Sequence, residues 1–187
     1  MSPYALHTVG SAPEGSKATL AAIEKGLGFI PNLFATMAES PEALNGYVGI
    51  EAVLARGTFG AAERQLLLTA ISSENGCGYC VAAHSTLASM SHADAQALAG
   101  ARGEATLADP RLRALTNFAR AVVRERGFVG TEALDEFLGA GFTKAQALEV
   151  VANVGYKTIS NFISGFANPP LDAQFEPQRA PELRKAS

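Results

Sequence analysis

Apolar positions along this chain recur at helical spacing, in stretches dominated by alanine and leucine. The period-two alternation of a half-buried strand is almost absent. The pattern predicts an all-α protein. A first helix is expected over residues 16–27, with Ser16 as N-cap and Gly28 as the stop. Gly28-Phe29-Ile30-Pro31-Asn32 reads as a turn, followed by a short helix from Leu33 to Ala38. Ser40-Pro41-Glu42 combines a capping residue, proline at the first helical position and an acid in the first turn. A helix should run from there to about Arg56 and end at Gly57.

The stretch that begins near Gly60 and carries Glu63, Gln65, Leu66, Leu67, Leu68, Ala70 and Ile71 is apolar over most of its circumference and should be central. Asn75-Gly76 breaks it. A new helix opens around Cys77 to Cys80 and continues through Val81, His84, Leu87 and Met90. Ser91 is a candidate cap for a short helix ending near Gly100, and Asp109-Pro110 opens another to about Arg126. Thr131 to Leu138 and Thr143 to about Ile163 complete the set. On the last helix Lys157 and Asn161 lie one turn apart, and read first as surface or interface positions, second as pocket residues. The C-terminal residues, about 168–187, are rich in proline and charge and read as a tail or an arm. There is also a faint internal echo between Phe59-Gly60-Ala61-Ala62-Glu63 and Phe142-Thr143-Lys144-Ala145-Gln146, each followed by a helix. It fits an ancient duplication, or the ordinary likeness of alanine-rich helices.

With 187 residues, the chain suits one domain spanning 1–187, or two small halves sharing a core. Hydrophobic residues make up 48% and charged ones 18%, which supplies a substantial core and argues against disorder. The net charge of −3 and the lack of a basic patch (Arg184-Lys185 is the one short run) exclude a typical nucleic-acid binder. No apolar stretch approaches a membrane span, and Met1-Ser2-Pro3-Tyr4 lacks a signal-peptide pattern, so a cytoplasmic protein is expected. In that compartment a cysteine pair is more often catalytic or metal-binding than a staple.

The two cysteines of the chain stand in Cys77-Gly78-Tyr79-Cys80, directly after a helix break. Positions 77, 80 and 84 share one helical face. Unpaired amides in a helix's first turn favour a thiolate, and His84 can take the Cys80 proton or stabilise its thiolate. An activated sulfur, a second sulfur and a base suit peroxide reduction through a sulfenic acid and then a disulfide, reset by an external dithiol. A structural zinc site fits poorly, because beyond this pair only His84, His92 and His7 remain as ligands; no metal or cofactor is expected. A thioredoxin-like arrangement fits poorly too, since its motif follows a strand. Tyr79 reads as a half-buried aromatic, and His7 and His92 as ordinary surface residues.

The segment Asn75-Gly76-Cys77-Gly78-Tyr79-Cys80-Val81-Ala82-Ala83-His84 closely resembles the core motif of the alkylhydroperoxidase D (AhpD)-like, carboxymuconolactone decarboxylase superfamily. The likeness runs from about residue 58 to 100. Phe29-Ile30-Pro31-Asn32-Leu33, Ile159-Ser160-Asn161-Phe162 and Pro170-Leu171-Asp172 resemble a peroxidase-related branch of it. The resemblance implies an all-α AhpD-like fold with the Cys-x-x-Cys motif at a helix N-terminus, homo-oligomers (trimers or hexamers) and peroxidase activity. It casts Cys80 as the attacking sulfur, Cys77 as the resolving one and His84 as part of a proton relay. The relay also calls for a glutamate twelve residues before the first cysteine, where this chain has Gln65. Glu63 lies about 200° round the helix from that position, and Glu74, just before the motif, is the other carboxylate candidate, though it reads first as an exposed helix end. Gly165 stands where that branch would place a histidine.

The expected function is therefore a thiol-dependent peroxidase acting on an organic or hydrogen peroxide, with an unidentified dithiol reductant. Two alternatives stand beside it. A muconolactone-type decarboxylase needs no redox cysteine pair; a non-enzymatic redox-sensing oligomer would form the disulfide without rapid turnover.

Overall fold

The computed structural model describes residues 4–180. The cysteine motif's Cys77-Gly78-Tyr79-Cys80 falls within it, whereas Met1-Ser2-Pro3 and the Arg184-Lys185 pair lie outside the described residues. Nine α-helices are described: α1 (Glu14–Leu27), α2 (Asn32–Met37), α3 (Pro41–Leu54), α4 (Ala61–Glu74), α5 (Gly78–Met90), α6 (Ala95–Arg102), α7 (Pro110–Arg124), α8 (Thr131–Gly139) and α9 (Lys144–Ala167). A short 3-10 turn, Glu176–Gln178, follows, and no strand occurs among the described residues.

Capping chemistry sets most boundaries. Ser40 Oγ accepts from Ala43 N at 3.2 Å, with Pro41 at the first helical position. Asp109 Oδ1 accepts from the amides of Arg111 and Leu112 at 2.7 and 3.1 Å. Thr143 and Gln146 form a reciprocal capping box at the start of α9, which runs four residues beyond the expected end, to Ala167. Two expected caps are corrected. Ser16 is buried inside α1 and donates to Ala38 O at 2.8 Å, so its hydroxyl satisfies a carbonyl at the end of α2 while α1 itself begins after Pro13. Asp94, not Ser91, caps α6, accepting from Ala97 N at 2.9 Å.

α4 is the central helix, as its pattern predicts. It packs against α5, α6, α7 and α9, and Leu66, Leu67, Leu68, Ala70 and Ile71 are all buried. Phe137 stacks between Phe118 and Phe142, with centroids 4.6 and 4.3 Å apart, tying α7, α8 and the start of α9 together. Phe59 and Phe142, the two ends of the internal echo, meet at 6.2 Å.

α9 buries Ala147, Val150, Tyr156 and Ala167 in the interior, but with a polar stripe beside them. Its inward face carries Asn153, Lys157, Ser160, Asn161 and Ser164, all buried, while Leu148, Ile159, Phe162 and Phe166 are exposed. Beyond Asn168 the chain folds back over the start of α5 as a docked strap: Pro169, Asp172 and Phe175 are buried, and Arg102 Nη1 donates to Gln178 O at 3.2 Å. Over its described part, the C-terminal segment is an arm held against the body.

Candidate functional site

Gly76, at φ 71°, takes the left-handed turn that ends α4 and presents Cys77 as the N-cap of α5. Cys77 Sγ accepts from Cys80 N at 3.4 Å. The first-turn amide of Cys80 thus reaches the Cys77 sulfur at the start of the helix. Both cysteines are free thiols, 7% and 1% exposed.

Polar side chains from α9 surround Cys80. Burial by itself would push its thiol up. The hydrogen bond from Cys77, the charge of Lys157, and hydrogen bonds from Asn161 and Ser160 outweigh that and bring Cys80 down to about 6. Cys77 moves the opposite way: donating to Cys80, and then burial and the Cys80 charge, hold its thiol well above the usual range. The pair is therefore asymmetric, one thiolate and one thiol. Asn161 is itself fixed, accepting from Asn75 Nδ2 at 2.8 Å and donating to Ser72 Oγ at 3.3 Å.

His84, one turn on from Cys80, is 8% exposed. Its Nδ1 lies 2.8 Å from Gln65 Oε1. An amide oxygen only accepts, so the imidazole carries its proton on Nδ1 and leaves Nε2 as the basic nitrogen. Burial, then the charges of Lys157 and Arg64, push His84 well below its ordinary value, so it is neutral near pH 7. Arg64 is buried and paired through both terminal nitrogens to Glu51, at 3.0 and 2.7 Å.

Of the expected relay positions, the structure brings Gln65 to His84 and leaves both glutamates elsewhere. Glu63 Oε1 pairs with Arg111 Nη1 at 2.8 Å, and Glu74 Oε1 lies 3.6 Å from Arg124 Nη1, so each faces α7. His92 is exposed, while His7 is half-buried with Nε2 2.7 Å from Glu39 Oε2; neither belongs to the site. Gly165 is exposed on the outer face of α9.

Lys157 and Asn161, read first as surface positions, are 1% and 3% exposed and face the cysteine pair. Ser164, Tyr47 and Arg64 join them without having been singled out in the sequence, and so does Ser160, noted there only within the segment Ile159-Ser160-Asn161-Phe162. A polar stripe at 153, 157, 160, 161 and 164, opposite an apolar one, was the available signal. Tyr79 closes the site from the strap side, half-buried as expected. Its hydroxyl lies 2.5 Å from Asp172 Oδ2 and accepts from Leu33 N at 3.1 Å. Among the described residues, no group of three or more His, Cys, Asp or Glu could hold a metal ion, and no helix is long and apolar enough to cross a membrane.

Residues 39–121 match the carboxymuconolactone decarboxylase family, a span that includes the Cys-x-x-Cys motif and His84. No curated protein matches the chain. The fold resembles the alkylhydroperoxidase AhpD core of an uncharacterized peroxidase-related protein from Ralstonia eutropha JMP134, with TM-score 0.82 and 23% identity over 93% of this chain and 94% of that one. An uncharacterized peroxidase-related protein from Silicibacter sp. TM1040 gives TM-score 0.78 and 20% identity over 95% and 94%. The debrominase Bmp8, in complex with 2,3,4-tribromopyrrole, gives 0.79 and 21% over 95% and 97%. The family match covers the central helices, and over nearly the whole chain the fold is similar to that of the AhpD core.

Proposed function

We propose that this protein is a thiol peroxidase that reduces organic or hydrogen peroxide in the reducing cytoplasm, cycling Cys77 and Cys80 between dithiol and disulfide. The observation that carries the reading is the asymmetry of the buried pair, with Cys80 lowered to about 6 and Cys77 raised. The Cys80 thiolate attacks one peroxide oxygen; the O–O bond breaks, and the other oxygen leaves with a proton as water or alcohol. The resulting sulfenic acid condenses with the Cys77 thiol, forming the S–S bond and releasing water. An external dithiol then returns two electrons and two protons by exchange. His84 Nε2 is the nitrogen able to shuttle the proton, and Gln65 fixes its tautomer.

The test is stoichiometric. Pre-reduced protein is mixed with tert-butyl hydroperoxide and free thiols are counted before and after. Loss of two thiols per chain, with turnover on adding a dithiol, is expected. Retention of both thiols would overturn the reading in favour of a decarboxylase or a binding protein.

The same reading includes self-association. The exposed Leu148, Ala152, Gly155, Ile159, Phe162 and Phe166 of α9 are spaced alternately by four and three residues. That is the apolar spacing of a helix seam that packs on another helix. α3, packed beside α9, adds the exposed Ile50 and Val53. A second copy of this chain offers the matching stripe, and this supports a homo-oligomer.

A further inference from the structure

We propose that Lys157 is the counter-ion of the reactive sulfur: a buried ammonium that holds Cys80 as a thiolate, in a site whose histidine stays neutral. The inference rests on the reading of Cys80 as the attacking sulfur and goes beyond it, by naming the source of its charge stabilisation.

Three observations converge on Lys157. It is 1% exposed, and among the described residues no carboxylate oxygen lies within ion-pair distance of its Nζ. Its Nζ donates to Ser160 Oγ at 2.8 Å and sits 5.4 Å from the centre of the Tyr156 ring. Ser160 and Asn161, the next turn of the same face, are among the polar groups that lower Cys80, and Ser160 Oγ itself donates to Lys157 O at 3.0 Å. A fully buried lysine without an anion ordinarily surrenders its proton. Burial does pull Lys157 down here, but the charges of Cys80 first, and then Tyr47 and Cys77, more than restore it. The anion that justifies a charged Lys157 is therefore the thiolate itself.

The other groups facing the pair leave that assignment in place. From α5 come Cys77, which stays a thiol, and His84, which is held neutral. From α4 comes Arg64, whose charge is taken by Glu51 of α3. From α3 and α9 come Tyr47 and Tyr156, stacked at 4.5 Å, and Tyr156 is held well above its ordinary value by burial, then Tyr47 and Glu51. Gln65 fits the same picture. A carboxylate at that position would favour an imidazolium as the charge partner, whereas an amide leaves that role to the lysine.

Lys157 is thus a positioning and electrostatic residue, so its test must read charge and not only activity. The reduced protein is titrated by thiolate absorbance near 240 nm in wild type, Lys157→Met and Lys157→Arg, with helical circular dichroism as the folding control. The thiolate step in Lys157→Met is expected to move up by at least about one pH unit, a roughly tenfold lower thiolate fraction below the step. Lys157→Arg should restore most of it. A folded Lys157→Met that titrates like wild type overturns the proposal. Should Lys157→Met fail to fold, the wild type itself decides. The Lys157 side-chain resonance, followed by NMR in lysine-labelled protein, should titrate at lower pH once the pair is oxidised with diamide, because the counter-charge has gone. An unchanged Lys157 titration overturns the proposal. Neither readout uses peroxide. A failed thiolate shift with normal peroxide-driven thiol loss removes only the lysine's role, and the converse removes only the peroxidase reading.

Discussion

The hydroxyl of Tyr79 lies 2.5 Å from Asp172 Oδ2, so the residue between the two cysteines is tied to a carboxylate 93 positions later. Asp172 also accepts from Asn32 N at 3.0 Å, and Phe175 packs edge-on against both Tyr79 and Phe29. One phenol thereby joins the start of α2, the cysteine motif and the C-terminal strap. Burial raises the Asp172 carboxyl above its usual value, although the Tyr79 and Asn32 hydrogen bonds pull it back part of the way.

Tyr79→Phe keeps the ring contacts but removes the hydroxyl that both donates to Asp172 and accepts from Leu33 N. A buried acceptor and a donor are left without that partner, which costs about 1–3 kcal/mol. Chemical denaturation of the variant should show that loss. Limited proteolysis should cut the strap between residues 168 and 180 sooner than in wild type. Unchanged cleavage and stability would mean that Asn32, Phe175 and Arg102 hold the strap without the Tyr79 hydroxyl.

The cysteine roles are separable. Cys80→Ser should abolish peroxide-dependent thiol loss. Cys77→Ser should consume one equivalent of peroxide and stop, leaving a sulfenic acid that dimedone traps, because no second thiol remains in the chain to condense with it. Trapping with mass-spectrometric mapping assigns the modified residue. Full activity in both variants would end the two-cysteine mechanism.

Gln65→Glu places a carboxylate 2.8 Å from His84 Nδ1 in the wild-type geometry. An opposite charge at that distance favours the imidazolium, so the His84 titration should move up from its strongly depressed position. Two-dimensional NMR of the imidazole through pH 4–8 reads this directly. If His84 gains a usable proton the peroxide rate should rise as well, and a shifted titration without a faster rate would leave His84 outside the rate-limiting proton transfer.

How much of this was legible beforehand follows from which residues obey local rules. The cysteine motif, the break at Gly76, the central α4 and the caps at Ser40, Asp109 and Thr143 are local chemistry, readable from a few neighbouring residues. Gln65 was placed in the His84 relay by the family resemblance alone, and the structure brings the two side chains together between α4 and α5. Lys157 was misread because a charged residue on a helix is ordinarily solvated, and α9 reverses that rule. It buries a polar stripe toward the thiols beside Val150 and Tyr156, and leaves Leu148, Ile159, Phe162 and Phe166 outward. Ser16 and Ser91 failed for a related reason, since a serine's hydroxyl caps only where no tertiary partner claims it and no better acceptor stands nearby. Glu63 and Glu74 are drawn off by arginines of α7, a contact no local pattern announces.

The outward stripe of α9 predicts an assembly. Phe162 is 64% and Phe166 76% exposed in the single chain. Phe162→Glu puts a charge in the middle of the seam, and a charge buried there without a partner is strongly disfavoured. Size-exclusion chromatography with light scattering should show wild type as an oligomer and the variant shifted toward monomer, with helical content retained. An assembly unaffected by Phe162→Glu would place the contact on another face.

The thiol asymmetry also dictates how stability responds to pH. Cys80 has a folded value near 6 against an unfolded value near the ordinary 9.0. A depressed acid binds fewer protons in the folded state, so its contribution is fully present above the unfolded value and is lost as pH falls through the folded one. His84 acts in the same direction lower down: held neutral in the fold and free to protonate when unfolded, it lowers stability as pH drops below 6.5. The reduced protein should therefore gain stability from pH 6 to 9, relative to Cys80→Ser, with a limiting slope of about 1.4 kcal/mol per pH unit. Disulfide formation removes the titrating thiolate, so the oxidised protein should lose this dependence while keeping the His84 component. Thermal melts of reduced, oxidised and Cys80→Ser protein across pH 5–9 separate the two. Parallel reduced and Cys80→Ser curves between pH 6 and 9 would show that the folded state carries no depressed thiol.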